Sequence, residues 1–369
     1  MKITKIGEPK IIMSSNLGRH RYFAWPTVTR LQNGKLAVVA SGFRIEHICP
    51  FGKTVISYSE DEGRTYTAPA PVIDTVLDDR DGGILAFGKS GVMVTSFNNT
   101  VDFQRKHANG AMSEPYKTYA LSYLDTVTEE EEKRDLGATF RVSFDCGVRF
   151  GELYKSPVTS PHGPIELKNG SILWVGRTFS KNNSMMSDDC VCAYCVHPET
   201  GNMEYLGSIE DIVYEGEKLL SCEPHAIELE DGTVLCHIRA QRPATATKKN
   251  VFTTYQSVSA DGGRSWSKPE PLLSERGGAP AHLIKHSSGV LISVYGYRSV
   301  PYGIRVMLSR DNGKTWDTDH ELYRNEVSYD LGYPSTVELS DGSLLTVFYA
   351  RPEKNAPAVI LQQKWRLEG

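Results

Sequence analysis

One eight-residue phrase recurs along this chain: Ser, any residue, Asp, any residue, Gly, any residue, Thr or Ser, then an aromatic. It stands at Ser59–Tyr66, Ser259–Trp266 and Ser309–Trp316, and a worn copy, with Arg149 in the hydroxyl position, occupies Ser143–Phe150. Recurrence at fixed internal spacing means that one supersecondary unit is repeated, so the chain folds as an array sharing one continuous core.

A second repeat interlocks with the first. Pro26–Gly34, His162–Gly170, Pro224–Gly232, Ala281–Gly289 and Pro334–Gly342 each join two apolar runs through a turn ending in Gly, and Gly83–Gly91 is a looser sixth copy. Asn-Gly and Asp-Gly between alternating runs are strong hairpin signals. Each hairpin supplies two inner strands, and each Ser-x-Asp phrase falls in the turn joining the outer two. Four strands repeated six times predict an all-β, six-bladed propeller, one domain over residues 1–369. The last unit lacks an outer partner, so Lys2–Met13 is expected to pair with Val359–Leu367 and close the ring. In each phrase the Asp is expected to accept N–H bonds across its own turn. A calcium site is the weaker reading, because one carboxylate per turn is too few for a cage of oxygens.

The chain carries 41 Lys and Arg against 45 Asp and Glu, a net charge of −4, which argues against nucleic acid and anionic membrane as partners. The run Glu129–Glu132 reads as solvated loop charge. Residues 1–9 contain no secretory apolar run, and no stretch approaches the roughly eighteen apolar residues of a membrane span. Seven cysteines, an odd number, include the cluster Cys190, Cys192 and Cys195, whose spacing fits neither a zinc ribbon nor a redox pair. A reduced, cytoplasmic protein is expected unless a leader has been trimmed, with no cofactor and no metal.

Chemistry in a propeller gathers where inner strands open onto the axis. Counting nine positions back from each turn Gly gives Trp25, Gly82, Pro161, Glu223, Pro280 and Tyr333 as the ring of mouth positions. Five hairpins are followed by an arginine: Arg44, Arg177, Arg239, Arg298 and Arg351. Cations crowd one cavity only when an anion compensates them, and the planar guanidinium fork grips carboxylates in two places. An acidic ligand is therefore expected, although each arginine alone has the plainer role of pairing with a loop acid. Glu223 and Tyr333 occupy equivalent positions, so a carboxylate base beside a phenol forms a candidate nucleophile pair, against the commoner use of such a Tyr in packing. His225 and His282 share a register in adjacent units, with His162 one position off. Zinc binding or acid–base chemistry is one reading, and hydrogen bonding to neighbouring strands is the favoured one.

With these residues in view, the chain resembles the sialidase (neuraminidase) superfamily, whose eight-residue phrases are called Asp-boxes or BNR repeats. Ser221-Cys222-Glu223-Pro224 is similar to the segment bearing the glutamate that assists the nucleophile, and Gly332-Tyr333-Pro334-Ser335 to the one bearing the nucleophilic tyrosine. Arg239 matches one arginine of the family's carboxylate-binding triad, and Arg298 is the candidate for a second. The resemblance implies a retaining glycosidase with Tyr as nucleophile, an exception to the two-carboxylate rule.

Two departures stand out. Ala24 replaces the first triad arginine, a charge-assisted contact worth about 2–3 kcal/mol, and the usual acid Asp after the first hairpin is missing. Glu46 and His47 stand there instead, while Asp78-Asp79-Arg80-Asp81 opens unit two with acids and an arginine. The expectation is an exo-glycosidase removing a terminal acidic sugar (sialic acid, ulosonate or uronate) from a glycan. Tyr333 and Glu223 are its reacting pair, Asp79, Asp81 or His47 its proton donor, and Arg44, Arg80, Arg177, Arg239, Arg298 and Arg351 its anion ligands, with Trp25, His225 and His282 against the substrate. A sialidase-fold lyase or glycosidase using histidine, and a non-catalytic carbohydrate-binding propeller, are the alternatives.

Overall fold

The computed structural model describes residues 1–16, 18–178 and 190–368. They form six antiparallel sheets arranged as the blades of a propeller, with inner strands Tyr22–Arg30, Arg80–Phe87, Val158–Thr159, Leu220–Glu228, Ala281–Lys285 and Gly332–Glu338. Blade 3 has a fifth short strand, Ile165–Glu166, because its inner strand is interrupted around Pro161. In blade 6, Lys2–Met13 pairs antiparallel with Val359–Glu368, so the ring is latched as its sequence implies. The apolar faces of the blades pack against each other; Val38, Val55 and Val347 are fully buried between blades 1 and 6.

The Ser-x-Asp phrases form the turns between third and fourth strands, and their chemistry is local. Asp61 Oδ1 accepts from Thr65 N at 2.8 Å, while Ser59 Oγ accepts from Gly63 N at 2.9 Å; the copies at Asp261 and Asp311 repeat this. The worn copy does the same through Arg149 N and Gly147 N. Each Asp is spent on its own turn, which disposes of calcium.

Three helices interrupt blade 2: α1 (Val101–Ala111), α2 (Tyr116–Leu124) and α3 (Glu129–Asp135). They account for the longest gap between hairpins. The acidic run Glu129–Glu132 is thus not loop: Thr128 and Glu131 form a reciprocal capping box, and the four acids suit the positive end of α3. Glu132 also accepts from Val101 N at the start of α1. Ala108, Met112 and Ala120 pack on Ile45 and Cys49 of the blade 1 loop, which places the helices over the mouth on that side. Among the described residues no helix is long and apolar enough to cross a membrane.

The axis is lined by polar side chains that bind one blade to another. His225 Nδ1 accepts from Leu283 N at 3.0 Å, Ser335 Oγ from Val28 N at 3.1 Å, and His162 Nδ1 meets Thr27 Oγ1 at 3.2 Å. His225 and Ser335 thereby satisfy backbone N–H groups on the inner strands of blades 5 and 1.

Candidate functional site

Four inner strands carry a β-bulge near their start, and in each the bulged residue is left-handed. They are Trp25, Asp81, Glu223 and Tyr333, with φ of 55°, 49°, 50° and 49°. Such a conformation costs a non-glycine residue about 1–3 kcal/mol, and its recurrence at four equivalent places aims side chains at the axis. In blade 2 the position belongs to Asp81, not Gly82. That hairpin turns at Gly88 (φ 54°), so counting from Gly91 slips the register by one.

A cavity of about 360 Å³ opens at these bulges, lined by Asp81, Glu223 and Tyr333 with Arg80, Arg177, Arg239 and Arg298, and by His47 and Phe103 of α1 at its rim. Four guanidinium groups face two carboxylates, an excess of two positive charges that favours an anion. Tyr333 Oη donates to Glu223 Oε1 at 2.6 Å, and Arg239 Nη1 donates to Glu223 Oε2 at 2.6 Å and to Tyr333 Oη at 3.1 Å. Gln241, two residues along the same strand, accepts from Arg239 Nε at 3.0 Å and holds the guanidinium plane. Arg298 donates to the carbonyl of Leu331 and to Tyr349 Oη, and pairs with no carboxylate among the described residues.

Burial drives the Tyr333 phenol well above its ordinary pKa, with Glu223 adding to the rise and Arg239 opposing it. The phenol is therefore neutral at rest, with the Glu223 carboxylate placed to accept its proton. Burial also pushes the Asp81 carboxyl up to about 7, Arg80 opposing and Glu223 reinforcing. One oxygen of Asp81 is buried without a hydrogen-bond partner. A carboxylic acid half protonated near neutrality beside a phenol–carboxylate pair is equipped for proton donation.

Several expected ligands lie elsewhere. Arg44 is fully buried, pairs with Asp78 at 2.6 Å, and is held by Ser41 and the His47 carbonyl, so it is structural. Trp25 is 1% exposed and forms the floor beneath Arg80 and Arg44, whose guanidinium carbons sit 4.2 and 4.8 Å from its ring centre. Asp79, wholly buried, accepts from Thr75 N and Oγ1 and does not reach the cavity. Arg351 is bound to Asp330 at 2.9 Å and to the carbonyl of Ala356, outside the lining. His225 and His282 stack with ring centres 4.3 Å apart on the axis, with His162 5.0 Å from His282. All three serve inner-strand packing instead of substrate. Among the described residues no cluster has the makings of a metal site. His47 does reach the cavity, its Nδ1 within 3.1 Å of Asp330 and of Tyr22 Oη; burial lowers its pKa although Asp330 pulls the other way.

Sequence reasoning named Asp78 only as one acid of its segment and missed Gln241 and Asp330. Gln241 had a signal, since it shares a strand face with Arg239. Asp78 and Asp330 sit in connecting loops where no periodicity marks the direction of a side chain.

Comparison with known proteins agrees with the fold. A family model described as a BNR repeat-like domain matches residues 160–346. The fold resembles that of a protein of unknown function from Dyadobacter fermentans (20% identity, 99% of both chains, TM-score 0.76). It also resembles the intramolecular trans-sialidase of Ruminococcus gnavus (13%, 97% of both chains, TM-score 0.64). A third likeness is to the α-L-arabinanase of Penicillium chrysogenum (14%, 97% and 98%, TM-score 0.60). No curated protein sequence matches the chain. A matching model over half the chain, four Asp-box turns and six latched blades make this chain a member of the BNR repeat-like domain family, with a sialidase-like propeller.

Proposed function

We propose that the chain is a retaining exo-glycosidase that removes a terminal acidic sugar from a glycan. The observation that carries this reading is the short hydrogen bond from Tyr333 to Glu223, clamped by Arg239, inside a cavity with surplus positive charge. Glu223 takes the phenolic proton as Tyr333 Oη attacks the anomeric carbon, and Asp81 gives its proton to the departing glycosidic oxygen. Asp81, now ionised, deprotonates a water that attacks the same carbon, and the phenolate leaves and recovers its proton from Glu223. Arg239 and Arg298, with Arg80 and Arg177 across the cavity, hold the sugar's carboxylate in place of the arginine that Ala24 omits. The likeness to a trans-sialidase and an arabinanase supports glycoside chemistry without naming the sugar.

Aryl sialosides and aryl uronides assayed with Tyr333→Phe and Glu223→Gln test the mechanism. At least about a hundredfold loss of kcat in each is expected. Unchanged turnover in both variants rejects it. Tight binding of acidic sugars by the wild-type chain without any product would assign the cavity to carbohydrate binding alone.

A further inference from the structure

Beside the cavity, and sharing Arg239 and Arg298 with it, lies a second hollow of about 300 Å³ between the loops of blades 4, 5 and 6. Its other walls include Asn250, Phe252, Arg276 and Tyr329, and no carboxylate lines it. Resting on the reading above, we propose that this hollow is the subsite for a second sugar unit of the same glycan, and that this unit carries a carboxylate of its own.

Two features point to that ligand. The first is charge. Three guanidinium groups meet there without an acid, and among the described residues Arg276 makes neither hydrogen bond nor ion pair. Arg239 and Arg298 are committed on the cavity side to Glu223, Tyr333 and Tyr349, so Arg276 is the cation free to meet a second anion. The second is a flat apolar surface. Tyr329 is 66% exposed at the edge of the hollow, so its ring is open to a ligand seated there. Phe252 lies under both shared guanidiniums, at 4.7 Å from Arg239 and 5.2 Å from Arg298, which holds its ring as a fixed wall. An aromatic face accepts the C–H side of a pyranose, and a nearby guanidinium grips a carboxylate in two places. The chemistry therefore suits a second acidic sugar, as in an oligouronate or an oligosialic acid.

The test is calorimetric, in the Tyr333→Phe background so that no ligand is turned over. Galacturonate and digalacturonate form one arm, and sialic acid and α2,8-linked disialic acid the other. In at least one arm the disaccharide should bind tenfold or more tightly than its monosaccharide. Arg276→Gln and Tyr329→Ala should each erase most of that advantage while monosaccharide affinity stays constant. A disaccharide no tighter than its monosaccharide in both arms, an advantage that survives both substitutions, or no binding at all overturns the subsite. Hydrolysis of aryl glycosides by the wild-type chain is scored separately. Absent turnover with the tenfold advantage intact rejects the glycosidase and keeps the hollow. Turnover without that advantage does the reverse.

Discussion

Asp79 and Asp81 are two residues apart, both carboxyls are pushed up to about 7 by burial, and only one is useful for chemistry. Asp79 is raised in spite of the hydrogen bonds from Thr75 and Asn98 that tie it into a turn. Asp81 faces the cavity with an unpartnered oxygen. A shifted pKa alone would not separate them; the bulge does. As a general acid Asp81 must be protonated in the free enzyme, so kcat/KM should fall as pH rises through about 7. Asp81→Asn should remove that limb and cost at least about a hundredfold with poor leaving groups, but much less with dinitrophenyl glycosides, which need no proton. An alkaline limb that survives the substitution would take the acid role away from Asp81. In the sequence the Asp-rich segment was legible as a source of acids. Which one faces the mouth was not, because a bulge adds a residue and inverts the alternation that strand reading relies on.

Hairpins and Asp-box turns were legible because their causes are local: a positive-φ glycine, an Asp that bonds its own turn, an aromatic beneath. The helices of blade 2 were not. On α1 the buried positions are Val101, Gln104 and Ala108, too polar a stripe to announce a core-facing helix. The arginines fared unevenly for a related reason. Arg177, Arg239 and Arg298 end their strands at the cavity, whereas Arg44 and Arg351 meet Asp78 and Asp330 from loops remote in sequence. The Arg44–Asp78 pair anchors the blade 1 loop over Trp25. Arg44→Met should therefore destabilise the protein by about 3–5 kcal/mol, because it removes the closest partner of a fully buried carboxylate and leaves only the longer contact to Arg80. Denaturant midpoints check this, and Arg44→Met with Asp78→Leu should recover much of the loss. A single variant as stable as the parent would show the pair to be dispensable.

Ring closure by Lys2–Met13 was foreseeable from an unpartnered last strand, and the shared register of His225 and His282 pointed to histidines bonded to neighbouring strands, as they are. His225 and His237, each with a pKa pushed down to about 3 by burial, are neutral when folded. His162 and His282 are lowered well below the usual range for the same reason. Unfolding frees these imidazoles to take up protons at their ordinary pKa. Between about pH 6.5 and 3 the unfolded state therefore binds more protons, and stability falls as pH falls. Each imidazole removes about 1.4 kcal/mol per pH unit within that window. The expected outcome is a melting temperature that drops steeply below pH 6, with His225→Gln flattening the slope. A melting temperature level down to pH 4 would contradict neutral burial of the cluster.

The latch has a temporal consequence. Lys2–Met13 leaves the ribosome before every other strand of the ring, and its neighbour Val359–Glu368 leaves after them all. Five blades can assemble during synthesis, yet the sixth waits with a naked edge until translation has passed its last strand, and Tyr333, which lines the cavity, belongs to that late blade. The cavity that Tyr333 lines is thus complete only once Val359–Glu368 has joined its sheet, and a chain cut before that strand would leave the ring unsealed.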